Sequence, residues 1–282
     1  MGEASRLPIG VALGTIGLDG DAWLRVAARL ATGPIDRLWV WDHLMGRGAP
    51  ERPVLEATIV AAALLSAHPT LRVGTLVLDV TKRHPALVAK IAATLDAIAP
   101  GRFALGIGAG GDAAEHDALG LPFGETAERI DALIRQASVA RAMLSGDPRE
   151  RIELPGGRSA DGAASAPRPG GRVPLLVAGD HPSSIRLAAE VADEWVAPVA
   201  TFASGIEQLR QREQAIGRTN PTVRAHLLHE LSANERFADS PFARAPEATW
   251  AAARAAGADA LIVTVRTERD AEELLGALAN LR

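Results

Sequence analysis

The chain has no cysteine among its 282 residues, which removes a disulfide framework, a thiolate nucleophile and any zinc–thiolate site in one step. Nothing in it demands an oxidising compartment. It also lacks a surplus of one charge. Thirty basic residues face 34 acidic ones for a net charge of -4, so there is no electrostatic footprint for phosphate polymers or anionic membranes. Nucleic acid is therefore not an expected partner. No apolar run approaches the roughly 20 residues that cross a bilayer. The N-terminal MGEASRLPIGVALG has no basic region followed by a sustained apolar segment. The reading is a soluble, cytoplasmic protein without a membrane partner.

What the chain does hold is 48% hydrophobic residues, enough for one large core, and parallel α/β barrels reach this length as one domain. Residues 1–282 are read as that single domain. The most informative stretch runs from Arg72 to His116. RVGTLVL, from Arg72 to Leu78, is an aliphatic run without strict alternation, as expected of a parallel strand covered on both faces. His84 and Pro85 open a helix, and Leu87, Ile91, Leu95 and Ile98 recur at helical spacing until Pro100-Gly101 stops it. Phe103 to Gly108 is the next strand. It ends in Gly106, Gly108, Gly110 and Gly111, where the backbone is expected to lie open to a ligand.

GIGAGG, from Gly106 to Gly111, satisfies G-x-G-x-x-G letter for letter. A dinucleotide fold needs a helix opening at its last glycine and an acid at a second strand end. Here Gly106 sits inside the strand, no helix is expected at Gly111, and the acid at Asp131 falls within a helix. A glycine-rich exit from a barrel strand fits better.

The same alternation continues on both sides. Strands are expected at Ile9 to Leu13, Asp36 to Trp41, Pro174 to Ala178, Glu194 to Pro198, Thr222 to Leu228 and Asp259 to Val265. Helices are expected from Asp21, over Arg52 to Ala67, Glu125 to Leu144, Ser183 to Val191, Ala203 to Ile216, Ala248 to Ala256 and Glu268 to Leu281. The Gly/Pro-rich insertion at 146–171 offers few anchoring side chains and reads as a mobile loop. Eight strands alternating with helices specify a (β/α)₈ TIM barrel, an α/β fold, with an open doubly wound sheet as the competing architecture. In a barrel the site lies at the C-terminal strand ends, which here carry Asp42-His43, Asp79, Gly108 to Asp112, Gly179 to His181 and His229.

Asp42-His43 places a carboxylate and an imidazole directly after an apolar strand, and a histidine there can exchange protons near neutral pH. The plainer alternative is a turn capped by Asp42. His84 reads equally as a helix start, and Asp112, Glu115 and His116 as an ordinary polar loop. Ala178 to Ser184 joins a strand to a helix whose free N–H groups and serine hydroxyls make an anion site, or else a simple N-cap by Asp180 or Ser183. Five histidines near strand ends (His43, His84, His116, His181 and His229) raise a metal-dependent hydrolase as an alternative. Against it, there is no early H-x-H pair, and His226 and His229 would project to opposite faces of their strand.

WVWDH (Trp39 to His43), GTLVL with RHPALVAKIAATLDAIAPGRFALGIGAG (Gly74 to Gly110), the segment Ala118 to Arg129, and PLLVAG with LAAEVADEW (Pro174 to Trp195) resemble the bacterial luciferase-like monooxygenase superfamily, particularly its branch using coenzyme F420. The resemblance covers roughly residues 36–198. It implies a (β/α)₈ barrel, often a homodimer, with a flavin or deazaflavin across its C-terminal mouth. It also implies that Asp42 touches the ring system and that His43 donates or accepts the proton beside the reacting carbon. Leu76-Val77 corresponds to a strand bulge that in many relatives holds a non-proline cis peptide. Gly108, Ala109 and Gly110 would border the cofactor, and Ala178, Gly179, Asp180 and Ser183 its phosphate.

Three departures from the family pattern stand out. Asp180 brings a negative charge to the phosphate loop, the segment from Thr222 to Val265 is short, and Gly111 stands where relatives that oxidise sugar phosphates carry an acid. The expected function is hydride transfer between F420 and a small organic substrate, with His43 handling the proton. The alternatives are an FMN-dependent monooxygenase, the metal-dependent hydrolase, and a non-catalytic barrel with an occluded or acidic pocket mouth.

Overall fold

The structure is a computed structural model that describes residues 7–46, 48–145, 152–154, 158–160, 172–219, 222–231 and 235–280. Its first half contains β1 (Ile9–Leu13), α1 (Gly20–Ala31), β2 (Arg37–Val40), α2 (Ala57–Ala67), β3 (Val73–Thr75), β4 (Leu78–Asp79), α3 (Pro85–Ile98), β5 (Phe103–Gly108), α4 (Ala113–Leu119) and α5 (Thr126–Ser145). The second half contains β6 (Ile152–Leu154), β7 (Arg158–Ala160), β8 (Leu175–Ala178), α6 (Pro182–Val191), β9 (Glu194–Pro198), α7 (Val199–Ala215) and β10 (Arg224–His229). It ends with α8 (Pro241–Arg244), α9 (Pro246–Ala255), β11 (Ala260–Val265) and α10 (Glu268–Ala279).

β1 pairs in parallel with both β2 and β11, and the parallel pairings continue through β10, β9, β8 and β5 to β3 and β4. With β3 and β4 as two halves of one stave, the ring closes with eight members. This is the (β/α)₈ barrel the alternation implies. Because side chains alternate along each strand, every stave feeds two different cores. Val11, Leu38, Phe103, Leu175, Trp195 and Leu261 point outward to the helices. Ala12, Trp39, Ala104, Leu176, Val196 and Ile262 point inward and pack together. Trp39 fills much of that interior, and a Cβ at Gly10 or Gly74 would lie 2.6 Å or 2.4 Å from its ring atoms. Glycine at those inward positions is what lets one large indole plug the barrel.

Several expectations need correction. The third stave is not the single strand that its composition suggests: Thr75 ends β3 and Leu78 begins β4, and the Leu76–Val77 peptide between them is cis, as the family resemblance implies. α2 begins at Ala57 instead of Arg52, because the Glu56 side chain accepts the Ile59 N–H and caps it there. The supposed polar loop after β5 is a short helix, α4, capped by the Asp112 side chain on the Glu115 N–H, so a helix does open just beyond Gly111. Within 146–171, the described residues form a two-stranded antiparallel hairpin of β6 and β7, not a mobile loop; the remainder of that stretch lies outside the described residues.

The N-cap of α6 is neither Asp180 nor Ser183. His181 Nδ1 accepts the Ser183 N–H, with Pro182 at the first helical position. α3 starts the same way, with His84 Nδ1 accepting from the Ala86 N–H ahead of Pro85. Among the described residues, no helix is long and apolar enough to cross a membrane.

Candidate functional site

Above the Trp39 layer, at the C-terminal ends of the staves, lies a cleft of about 520 Å³. Its floor is apolar: Trp41, Leu76, Val77, Ala178 and Leu228 pack on the inner barrel cluster and face the opening. Asp42, His43, Leu76, Val77, Gly108, Ala109, Gly110, Ala178, Gly179 and Asp180 all line it. Ser183 does not. It faces a separate depression beside Ile134 and Arg186, and Ser184, one residue further along the helix and 2% exposed, takes the place in the cleft. The reason is the His181 cap, which sets the first turn of α6 so that Ser184 points back toward Gly179. His84, exposed at the start of α3, and His229 lie outside the cleft lining.

The glycine run has a different origin from the one its spelling suggests. A Cβ at Gly106 would lie 1.9 Å from the Thr75 carbonyl oxygen, and one at Gly108 would lie 2.5 Å from Val77 Cγ2. At Gly110, φ is +79° and the Asp79 carboxylate would be 2.6 Å away. These glycines therefore make room for the broken third stave and not for a pyrophosphate. Within this run, Gly111 alone has nothing within 4 Å. The Thr75 hydroxyl donates to the Gly106 carbonyl and accepts its N–H, both at 2.9 Å, and so bridges the interrupted ladder.

The polar wall consists of three linked groups. Arg83 grips Asp42 with a two-pronged fork at 2.6 Å and 2.7 Å, while Asp42 also accepts the Asp79 N–H at 2.9 Å. The same guanidinium donates to Glu56 at 2.6 Å, which ties the entry of α2 to the wall. Asp42 is thus a buried, fully engaged carboxylate, 6% exposed, and not a free acid.

Beside it, Glu115 of α4 reaches back across the cleft. Its Oε1 accepts the N–H groups of Leu44 and Met45 at 2.6 Å and 3.0 Å, and its Oε2 faces Lys82 Nζ and lies 3.7 Å from His43 Nδ1. Burial pushes the Glu115 carboxyl up, but the Lys82 ammonium and the two backbone N–H groups outweigh it and hold it below the usual carboxylate range. In the third group, the buried His116 meets the Thr81 hydroxyl at 2.6 Å and lies 3.4 Å from Asp79, while its ring tilts against Phe123.

Sequence reasoning found the histidine and weighed Glu115 only as part of a polar loop, and it did not single out Lys82 beside Glu115 or Arg83 on Asp42. Glu230, beyond β10, also lines the opening and was not singled out. Among the described residues, no group of three or more His, Cys, Asp or Glu side chains is placed to hold a metal ion. The cleft is not occluded, although Asp180 and Glu230 give its mouth an acidic edge.

The luciferase-like monooxygenase family model matches residues 9–281. An F420-dependent glucose-6-phosphate dehydrogenase of Beutenbergia cavernae is 37% identical over 163 residues, 57% of this chain and 46% of that protein. The pyrimidine monooxygenase RutA of Methylobacterium radiotolerans is 31% identical over 211 residues, 70% of this chain and 51% of that one. The chain thus spans about half the length of these curated relatives. Among solved structures, an F420-dependent secondary alcohol dehydrogenase in complex with an F420-acetone adduct superposes with a TM-score of 0.78. That superposition covers 98% of this chain and 99% of the other at 17% identity, a likeness of fold.

Proposed function

The chain belongs to the luciferase-like monooxygenase family, and on that premise we propose that it is an oxidoreductase that exchanges a hydride between coenzyme F420 and a small organic substrate. The observation that carries the proposal is the convergence of His43, the Leu76–Val77 bulge, Gly108 to Gly110 and Ala178 to Asp180 on one apolar-floored cleft. That volume lies within the range of small-molecule sites. The residues present suit a planar ring system: Leu76, Val77 and Leu228 offer a flat apolar bed, and the neighbouring glycines keep the wall thin. Bound there, the deazaflavin would supply two-electron hydride chemistry.

The protein's own part is orientation and proton handling. Asp42, locked by Arg83, holds the loop after β2 against β4, and His43 exchanges the substrate proton at the mouth. Some relatives are named for glucose 6-phosphate, but three features of this cleft favour an unphosphorylated substrate. Lys82, a cation that could meet a phosphate, is held by Glu115 and the Asp42 carbonyl; Asp180 and Glu230 add negative charge to the lining; and Gly111, with Asp112 occupied as the cap of α4, leaves unfilled the acid position that the resemblance assigns to sugar-phosphate relatives.

Titration of the purified protein with F420, followed by coenzyme fluorescence, tests the proposal. Micromolar binding is the expected result. Binding of FMN alone would move the protein to the monooxygenase reading, and binding of neither would leave a barrel without a redox role.

We also propose that the protein is a homodimer joined through α2 and α3. α2 carries no charged side chain along its length, and Ile59 on it is 69% exposed, while its packing neighbour α3 exposes Leu87 and Ile98 at 52% and 46%. Sedimentation should give a dimer that Ile59→Arg converts to a monomer; a wild-type monomer would refute the assignment.

A further inference from the structure

We infer that Glu115 and Lys82 form a charge couple that orients His43 and sets its protonation, which makes both of them positioning residues for the proton step. The inference rests on the role proposed above for His43, but its geometry stands by itself. Lys82 Nζ donates to the Asp42 carbonyl at 2.6 Å, immediately before His43, and also contacts Glu115 Oε2. Glu115 Oε1 takes the two N–H groups immediately after His43. The backbone is therefore clamped on both sides of the histidine by one ion pair, whose partners are only 3% and 2% exposed. The oxygen shared with Lys82 is also the one 3.7 Å from His43 Nδ1. The imidazole stands edge-on to Trp41, with ring centroids 6.4 Å apart.

The two charges act on the imidazole in opposite senses. A carboxylate at this distance favours the imidazolium, whereas an ammonium on the same oxygen opposes it. An imidazole that carries its hydrogen on Nδ1, the side facing Glu115, leaves Nε2 to take the second proton. The remaining charged groups along the cleft are distributed differently. Asp42 is neutralised by Arg83, Asp79 lies beside His116, and Asp112 caps α4. Asp180, His181, Glu230 and Arg129 line the opening further along.

The test is an NMR titration of His43 in the cofactor-free protein, with the ring labelled at Cε1 and the resonance assigned by its loss in His43→Ala. Glu115→Gln keeps an oxygen for the Leu44 and Met45 N–H groups and removes the charge; the His43 pKa should fall by about one unit, the scale of a carboxylate neighbour. Lys82→Met should raise it. Glu115→Asp, which keeps the charge, should stay nearer to wild type than Glu115→Gln does, and it serves as the control if Lys82→Met does not fold. A clamp that is only structural would loosen the loop in each variant without opposite displacements. Shifts of the same sign in Glu115→Gln and Lys82→Met, or no shift in Glu115→Gln, would overturn the inference. The readout does not depend on F420. Normal F420 binding without a pKa displacement would sink the couple alone, and a displacement without F420 binding would sink the redox reading alone.

Discussion

Gly106 and Gly111 open and close the same six-residue run, yet they carry opposite loads. At Gly106 an added methyl meets the Thr75 carbonyl at 1.9 Å, a backbone atom that cannot rotate away, and it would disrupt the Thr75 hydroxyl bridge as well. Gly111 faces open space. Gly106→Ala should therefore destabilise the fold at or beyond the upper end of the roughly 1–3 kcal/mol seen for overpacked cores. Gly111→Ala should stay within about 0.5 kcal/mol of wild type. Thermal unfolding of the two variants decides the matter, and equal midpoints would mean that the glycine run is not needed by the third stave. The same scale shows what a linear reading can see. His43 is legible because it directly follows an apolar strand. Glu115 is not, because its meaning lies in partners 70 and 71 positions away, and no local pattern encodes such a pairing.

At the level of elements, the order of strands and helices was legible nearly throughout, since buried parallel strands and amphipathic helices differ in period and each unit ends in a turn signal. The errors fall where tertiary partners override local preference. Arg72 to Leu78 reads as one strand from its composition, and only the family resemblance places the break at Leu76–Val77, after which the ladder resumes at Leu78 against Ile107 of β5. α4, only seven residues long and polar at its start, reads as a loop in the sequence. A usable signal did exist, in an aspartate with glutamate three residues on, which is the spacing of a capped first turn. His84-Pro85 and His181-Pro182 are a second, weaker signal, since a third such dipeptide, His68-Pro69, closes α2 instead. The two that open helices do so by the same device, a histidine Nδ1 accepting an N–H two residues ahead.

For the molecule as a whole, acid sensitivity follows from what the barrel buries beneath its cleft. Arg37, Glu194 and His226 come from three staves and are 2%, 5% and 1% exposed. Arg37 contacts both Glu194 oxygens at 3.0 Å and 2.7 Å, and His226 Nε2 lies 3.0 Å from Glu194. Burial pushes His226 down by more than Glu194 pulls it up, so the folded protein holds this imidazole neutral. Burial alone would raise Glu194, but His226 and Arg37 hold it well below the usual range. Both shifts act in one direction. An unfolded chain takes up a proton on His226 as pH falls below about 6.5, and the folded chain refuses it, so stability present above that pH is lost on acidification. Glu194 adds a second loss below about 4.5, when the unfolded carboxylate protonates and the folded one does not. One such proton costs about 1.4 kcal/mol per pH unit across its window. At fixed protein concentration, which holds any self-association constant, the unfolding midpoint should be nearly level from pH 8 to about 7 and then decline from about 6.5. In His226→Gln that first decline should be shallower, even if the variant is less stable throughout. Parallel profiles for the two proteins would show that His226 takes up its proton equally in the folded and unfolded chain, and that the layer beneath the cleft does not set the acid limit.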